Sequence, residues 1–164
     1  MSHLIFFAIG SNISPRFHYL RQGVKSVRES GIEVERISSL YQTSPVGPVN
    51  QPYFLNAVVK AKTSLKPLEI LELFQQIQKK WGRIPGIHFG PRTLDMDLLL
   101  YDEVKMRTDK LTLPHPRMES RKFVLVPLLE ISPSLRNPEG TSYRSLLDKC
   151  DSSQSINHYR QHWT

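Results

Sequence analysis

The chain has 164 residues, 39% of them hydrophobic and 23% charged, which leaves room for one domain with a substantial core and excludes a charge-rich disordered chain. Lysines and arginines number 22 against 15 aspartates and glutamates, a formal net charge of +7, and that balance points to a polyanionic partner, nucleic acid or a phosphorylated small molecule. Cys150 is the only cysteine, which excludes an internal disulfide or a cysteine-rich metal site and favours a reducing compartment, the cytoplasm.

The early apolar run Leu4 to Ile9 has no Lys or Arg before it. It is too short for a signal segment or a membrane span, so neither a targeting segment nor a membrane partner is read. Closed by Gly10-Ser11-Asn12, it suits a central strand buried on both faces. From Phe17 the positions Phe17, Leu20, Val24 and Val27 keep helical spacing up to a stop at Gly31, with Gly23 weakening the helix. Ile32 to Thr43 reads as one strand, followed by the stiff turn Ser44-Pro45-Val46-Gly47-Pro48, and Phe54 to Lys62 reads as its partner. Pro67 and Glu69 open a second helix with Ile70, Leu73, Phe74, Ile77 and Trp81 as its apolar stripe and Gly82 as its end. Residues 83–92 hold Pro85, Gly86, Gly90 and Pro91 without periodicity and form a loop. Leu94 to Tyr101 is a strand entering the core, Val104 to Leu113 a short hairpin, and Pro114 to Leu129 a set of short helical pieces broken by prolines. A polar tail from about residue 151 is expected to be weakly ordered. The order βαββαβ predicts an α+β fold, a mainly antiparallel sheet covered by helices, in a single domain over residues 1–164.

The segment from Gly90 to Leu100 carries the chemistry. On a strand, Asp95 and Asp97 share one face while Leu94, Met96 and Leu98 take the other. Two adjacent carboxylates repel each other, and a hard divalent cation between them removes that cost; Mg²⁺ is held by one or two carboxylates, with phosphate oxygens and water completing its shell. A bare Asp-X-Asp pair is more often a solvated strand face. Here Arg92, three residues upstream on a Gly-Pro turn, is placed to reach the same phosphates. Phe54 and Asn56 share a face of their own strand, an aromatic beside a side chain that both donates and accepts.

The run His88-Phe89-Gly90-Pro91-Arg92-Thr93-Leu94-Asp95-Met96-Asp97-Leu98-Leu99 resembles the motif of the 6-hydroxymethyl-7,8-dihydropterin pyrophosphokinases of folate biosynthesis. Four further stretches resemble that family in the same order: Ala8 to Asn12, Tyr41 to Pro48, Gln51 to Ala57, and Leu113 to Met118 with Arg121 and Phe123. The similarity covers roughly residues 4 to 148. It implies a ferredoxin-like sandwich and transfer of pyrophosphate from ATP, the co-substrate, to the pterin hydroxymethyl group, giving AMP. It further implies that Asp95 and Asp97 hold two Mg²⁺ ions and that Arg83 and Arg92 are catalytic arginines of a mobile loop. His115 and Arg121 would contact the ATP phosphates, and Gln75, Gln78, Leu98, Leu111 and Thr112 the rest of the nucleotide. Phe54 and Phe123 would sandwich the pterin, with Asn56, Phe89 and the backbone of Thr43 and Val46 around it. Against the family pattern the chain has Phe89 where Trp is frequent and Gln78 where Glu is frequent. It also lacks a second loop arginine near Pro85, in a loop one residue shorter.

Two other classes fit parts of the pattern. A basic ferredoxin-like nucleic-acid-binding module shares the charge but needs a Lys/Arg-Gly-aromatic signature on a central strand, which is missing. A two-metal nucleotidyl transferase or cyclase shares the Asp-X-Asp logic but gives no reason for Phe54, Asn56 and Phe123. The expected partners are therefore ATP and a reduced pterin, with no nucleic acid and no membrane, on a monomeric chain.

Overall fold

The computed structural model describes residues 1–45, 47, 50–82, 92–151 and 153–164. The apolar run forms the middle of β1 (His3–Ser11). α1 (Arg16–Glu29) follows and turns Leu20, Gly23, Val24 and Val27 inward. Gly23 marks the closest approach of helix to sheet: a Cβ there would stand 2.8 Å from Ile9 Cδ1 and 3.1 Å from both methyl carbons of Leu94. The residue that lowers helix propensity is the one that lets the helix seat.

The expected single strand over 32–43 is divided into β2 (Glu33–Ile37) and β3 (Leu40–Thr43). The break falls at Ser38 and Ser39, both buried. Ser38 Oγ accepts the Val58 N–H (2.9 Å), and Ser39 donates both its N–H and its hydroxyl to the Glu130 carboxylate. Hydroxyls that bond to nearby backbone and side chains compete with a regular ladder, which diverts the chain here.

β4 (Phe54–Thr63) and α2 (Pro67–Lys80) come next. Pro67 stands at the first helical turn, and the Lys66 N–H donates to the Glu69 carboxylate (2.7 Å). β5 (Asp95–Tyr101) leads to a hairpin of β6 (Met106–Arg107) and β7 (Thr112–Leu113). After a 3₁₀ turn at Met118–Ser120, α3 runs unbroken over Lys122–Ile131 with Pro127 inside it, which corrects the expectation of proline-broken pieces. The helix survives because Val124, Leu125, Leu128, Leu129 and Ile131 are all buried, so packing outweighs the loss of one N–H donor to the Phe123 carbonyl. α4 (Tyr143–Asp148) and β8 (Ile156–Arg160) complete the chain.

The main sheet has the order β5-β1-β4-β3-β8, with β2 also on β4, and every pairing is antiparallel. β1, β2/β3, β4 and β5 with α1 and α2 on one face make two interlocked βαβ units, the ferredoxin-like arrangement expected. α3 and α4 cover the other face. One core gathers Ile5, Phe7, Ile9, Met96 and Leu98 under α1 and α2, and a second gathers Phe6, Val58, Leu99 and Leu100 under α3. The polar tail carries a strand of the sheet. β8 pairs with β3, and Trp163 is buried with its indole N–H donating to the Ser38 carbonyl (2.9 Å).

Candidate active site

At one end of the sheet, on the α3 face, the strands exchange bulky apolar residues for small or polar ones. Asp97 and Asp95 on β5 stand opposite Ala8 and Gly10 on β1, which in turn stand opposite Val58 and Asn56 on β4. Small residues on the middle strand open a trough with carboxylates on one side and an amide on the other. Its floor needs glycine: a Cβ on Gly10 would collide with Oδ1 of Asn56. The trough belongs to a cleft of about 220 Å³, closed by the end of β3, the turn after β7, the start of α3 and the C-terminal segment.

The structure brings most of the expected site residues to this cleft. Thr43, Phe54, Asn56, Arg92, Asp95, Asp97, His115, Arg121 and Phe123 all line it. Asp95 and Asp97 share a strand face and are partly exposed, and Met96 and Leu98 are buried on the other face, as the alternation predicts. A bulge at Leu99 then lets β5 stay apolar on both faces as it enters the core.

On the carboxylate side, an Arg92 guanidinium nitrogen lies 3.8 Å from Asp95 Oδ1. Burial and the neighbouring Arg117 charge lower the pKa of Arg121, while the Asp97 and Asp95 carboxylates act the other way. His115 is pushed down to about 4, first by burial and then by Arg121 and Arg117, with Asp95 opposing. It is therefore neutral near pH 7. Its Nδ1 accepts the Arg117 N–H (3.2 Å), which leaves the proton on Nε2 as a donor. On the other side, Asn56 Nδ2 donates to Thr43 Oγ1 (2.6 Å) and Phe54 supplies aromatic surface, while the Phe123 ring stands against the Arg121 guanidinium, 5.4 Å from its centroid.

Five of the expected residues lie elsewhere. Gln75, Gln78, Leu98, Leu111 and Thr112 do not line the cleft. Gln75 is exposed on α2, and Thr112 is on β7, which packs beside β5. Gln78 is only 3% exposed: its Nε2 donates to the Phe74 carbonyl (3.0 Å), and its Oε1 accepts the Met96 N–H (3.0 Å). It is a brace between α2 and β5. Arg83, Phe89, Val46 and most of the expected mobile loop fall outside the described residues.

A sequence model of 7,8-dihydro-6-hydroxymethylpterin-pyrophosphokinase (HPPK) matches residues 6–133. The chain belongs to this family. It is 47% identical to the 2-amino-4-hydroxy-6-hydroxymethyldihydropteridine pyrophosphokinase of Bacillus subtilis (strain 168) over 132 residues, covering 80% of this chain and 79% of that protein. It is 43% identical to the mitochondrial folate synthesis bifunctional protein of Pisum sativum over 127 residues, which are 77% of this chain but 25% of that protein. Among solved structures, wild-type Plasmodium falciparum HPPK-DHPS with SDX-DHP matches with a TM-score of 0.68 at 15% identity, over 90% of this chain and 43% of that one. That likeness concerns the fold, and this chain spans less than half of such fused chains.

Within this HPPK fold, several residues in the cleft wall or buried behind it had no role assigned from sequence. Asn12, 1% exposed, is the hub. Its Nδ2 donates to Gln51 Oε1 (2.8 Å) and to the Pro52 carbonyl (2.9 Å). Its Oδ1 accepts the Arg92 N–H (2.7 Å), and its own N–H donates to the Arg92 carbonyl (3.0 Å). One buried amide thus ties the segment before β4 to the segment before β5. The signal was in the motif Gly10-Ser11-Asn12, but nothing local tells which partners an asparagine will find 40 and 80 residues away. Arg117 adds a third cation beside Arg92 and Arg121, and Gln154 reaches the cleft from the tail.

Proposed function

We propose that this cleft is the reaction site of the activity that defines the family, with Asp95 and Asp97 as its metal-holding pair. The chain is a pyrophosphokinase of folate biosynthesis. It transfers pyrophosphate from ATP to 6-hydroxymethyl-7,8-dihydropterin, leaving AMP and the pterin diphosphate. The observation that carries the site assignment is the single trough, with carboxylates and three arginines on one side, Asn56 and Phe54 on the other, and Phe123 lining it against Arg121. A triphosphate suits the first side, and a flat, hydrogen-bonding ring suits the second.

An all-oxygen pair of partly exposed carboxylates fits Mg²⁺, and among the described residues no third His, Cys, Asp or Glu joins them. The protein's share of the shell is then two carboxylates, with phosphate oxygens and water completing it, the composition Mg²⁺ favours. We assign two ions to Asp95 and Asp97; when bound they supply charge neutralisation and polarise the phosphoryl oxygens. Arg92 and Arg121 hold phosphate oxygens through guanidinium forks, and neutral His115 donates from Nε2. Arg83, expected with Arg92 to be a catalytic arginine, belongs to the same proposal. Asn56 orients the pterin edge, and Phe54 and Phe123 take its faces. The backbone of Thr43 is assigned to that side; Val46 and Phe89, expected there too, lie outside the described residues. Gln75, Leu98, Leu111 and Thr112 are assigned to the nucleotide's other end, outside the trough. Pairing the two substrates across one strand sets the hydroxymethyl oxygen against the phosphoryl group, a positioning that the chain itself supplies.

The working unit is read as one chain, because one chain supplies both sides of the trough, and its compartment as the cytoplasm, on the strength of the lone Cys150. Among the described residues, no helix is long and apolar enough to cross a membrane. The test is AMP formation from ATP, Mg²⁺ and the reduced pterin. Asp95→Ala and Asp97→Ala are expected to lower kcat by at least about a thousandfold with melting temperature little changed, because these carboxylates face the cleft and not the core. Most of the activity surviving either substitution at saturating Mg²⁺ would remove the pair from the reaction.

A further inference from the structure

The C-terminal segment does more than close the sheet. β8 pairs with β3 in the register Tyr41↔His158, Gln42↔Asn157 and Thr43↔Ile156, and the pairing continues past the strand toward the cleft. Ser44 N–H donates to the Ser155 carbonyl (3.1 Å), Ser155 N–H donates to Ser44 Oγ (3.1 Å), and Gln154 Nε2 donates to the Ser44 carbonyl (2.7 Å). The far end of the segment is pinned by Trp163, buried with its N–H on the Ser38 carbonyl and edge-on to the Phe17 ring. Gln154 is thereby held, half-buried, in the wall of the cleft that also carries Thr43, Phe54 and Asn56. It lies beyond residues 6–133, the span of the family match.

The chemistry of its amide follows from the Ser44 contact. A carbonyl oxygen only accepts, so the nitrogen end of Gln154 faces Ser44. Oε1 and the second N–H remain, and among the described residues Oε1 accepts no hydrogen bond. A half-buried acceptor in a ligand cleft is costly to leave unsatisfied once water is displaced. The edge of a reduced pterin presents ring N–H and amino donors.

We propose that Gln154 is a specificity residue of the pterin subsite: its Nε2 anchors the tail to Ser44, and its Oε1 accepts a hydrogen bond from an N–H on the ring edge. The inference rests on the reading of the cleft given above, with the pterin on the Asn56 side. It makes the C-terminal segment a wall of the substrate pocket as well as a strand of the sheet.

Titration of the full chain with 6-hydroxymethylpterin, alone and after loading with a non-hydrolysable ATP analogue and Mg²⁺, tests this in Gln154→Leu and Gln154→Glu. Gln154→Leu is expected to weaken pterin binding about threefold to tenfold, leave nucleotide binding within about twofold, and lower the melting temperature by only about 2–4 °C, from loss of the Ser44 contact. Gln154→Glu keeps an acceptor and is expected to retain more pterin affinity than Gln154→Leu. Unchanged pterin affinity in Gln154→Leu, equal losses for both ligands, or equal losses in the two variants would overturn the proposal. Wild-type turnover of pterin together with any of those results sinks only the role of Gln154, whereas absence of pterin turnover in the wild type sinks the reading of the cleft.

Discussion

His115 carries a stability cost that its position explains. Burial and two arginines push its folded-state pKa down to about 4 from the ordinary 6.5. In the window between those values the unfolded chain binds more protons than the folded one, so acid favours unfolding. The ligand-free protein is therefore expected to lose stability as pH falls from about 6.5 to about 4, with no further loss from this residue below that. Urea denaturation at several pH values, run on wild type and His115→Gln, checks it: the variant's stability should depend less on pH across the window. An equally steep fall in the variant would assign the acid sensitivity to other groups. The residue tolerates this cost because a neutral imidazole, with Nδ1 engaged by the Arg117 N–H, presents a fixed Nε2–H donor toward the cleft. Gly10 shows the same trade at the backbone, where the absence of a side chain makes room for the Asn56 amide.

Among the elements, β8 shows most clearly what local pattern conveys and what it does not. Residues 151–164 are polar and carry no strong period, so they read as a frayed end, yet four of them pair with β3. What orders them is long-range: Trp163 on Ser38, the Arg160 guanidinium 4.9 Å from the Phe17 ring centroid, and Arg16 beneath Tyr159. Trp163→Ala is expected to destabilise the protein by about 3 kcal/mol, since it removes a buried aromatic and a satisfied indole N–H together. Chemical denaturation measures the loss; a change below about 0.5 kcal/mol would mean that the tail contributes no packing. The β5 carboxylates, by contrast, were legible, because a period of two fixes which side chains share a face. So were both long helices, from their apolar stripes. The division of β2 from β3 and the persistence of α3 through Pro127 were not, because each depends on partners remote in sequence: Glu130 and Val58 for the first, the second core for the other.

For the molecule as a whole, the ferredoxin-like topology converts six separated stretches of sequence into one cleft. β1 lies between β4 and β5, so segments around residues 10, 56 and 96 become neighbours across two ladders, and Asn12 ties their flanking segments together. The net charge of +7, read from composition only as a leaning toward polyanions, gains a location in this way. Arg92, Arg117 and Arg121 line the cleft beside Asp95 and Asp97. A cleft so lined attracts a triphosphate through a field that reaches past direct contact, and salt screens such a field within about 8 Å at physiological ionic strength. On the proposed reading of the cleft, the ring on the opposite side is held by stacking and short hydrogen bonds, which salt hardly alters. Raising NaCl from about 0.05 M to about 0.5 M at fixed Mg²⁺ is therefore expected to increase the KM for ATP severalfold while the KM for the pterin moves by less than about twofold. Arg117→Ala should lower the salt slope for ATP and leave the pterin untouched, since Arg117 is an exposed member of the cluster whose contribution is chiefly its charge. Equal salt dependence for both substrates would show that the charge acts on the whole surface and not on the nucleotide side of the cleft.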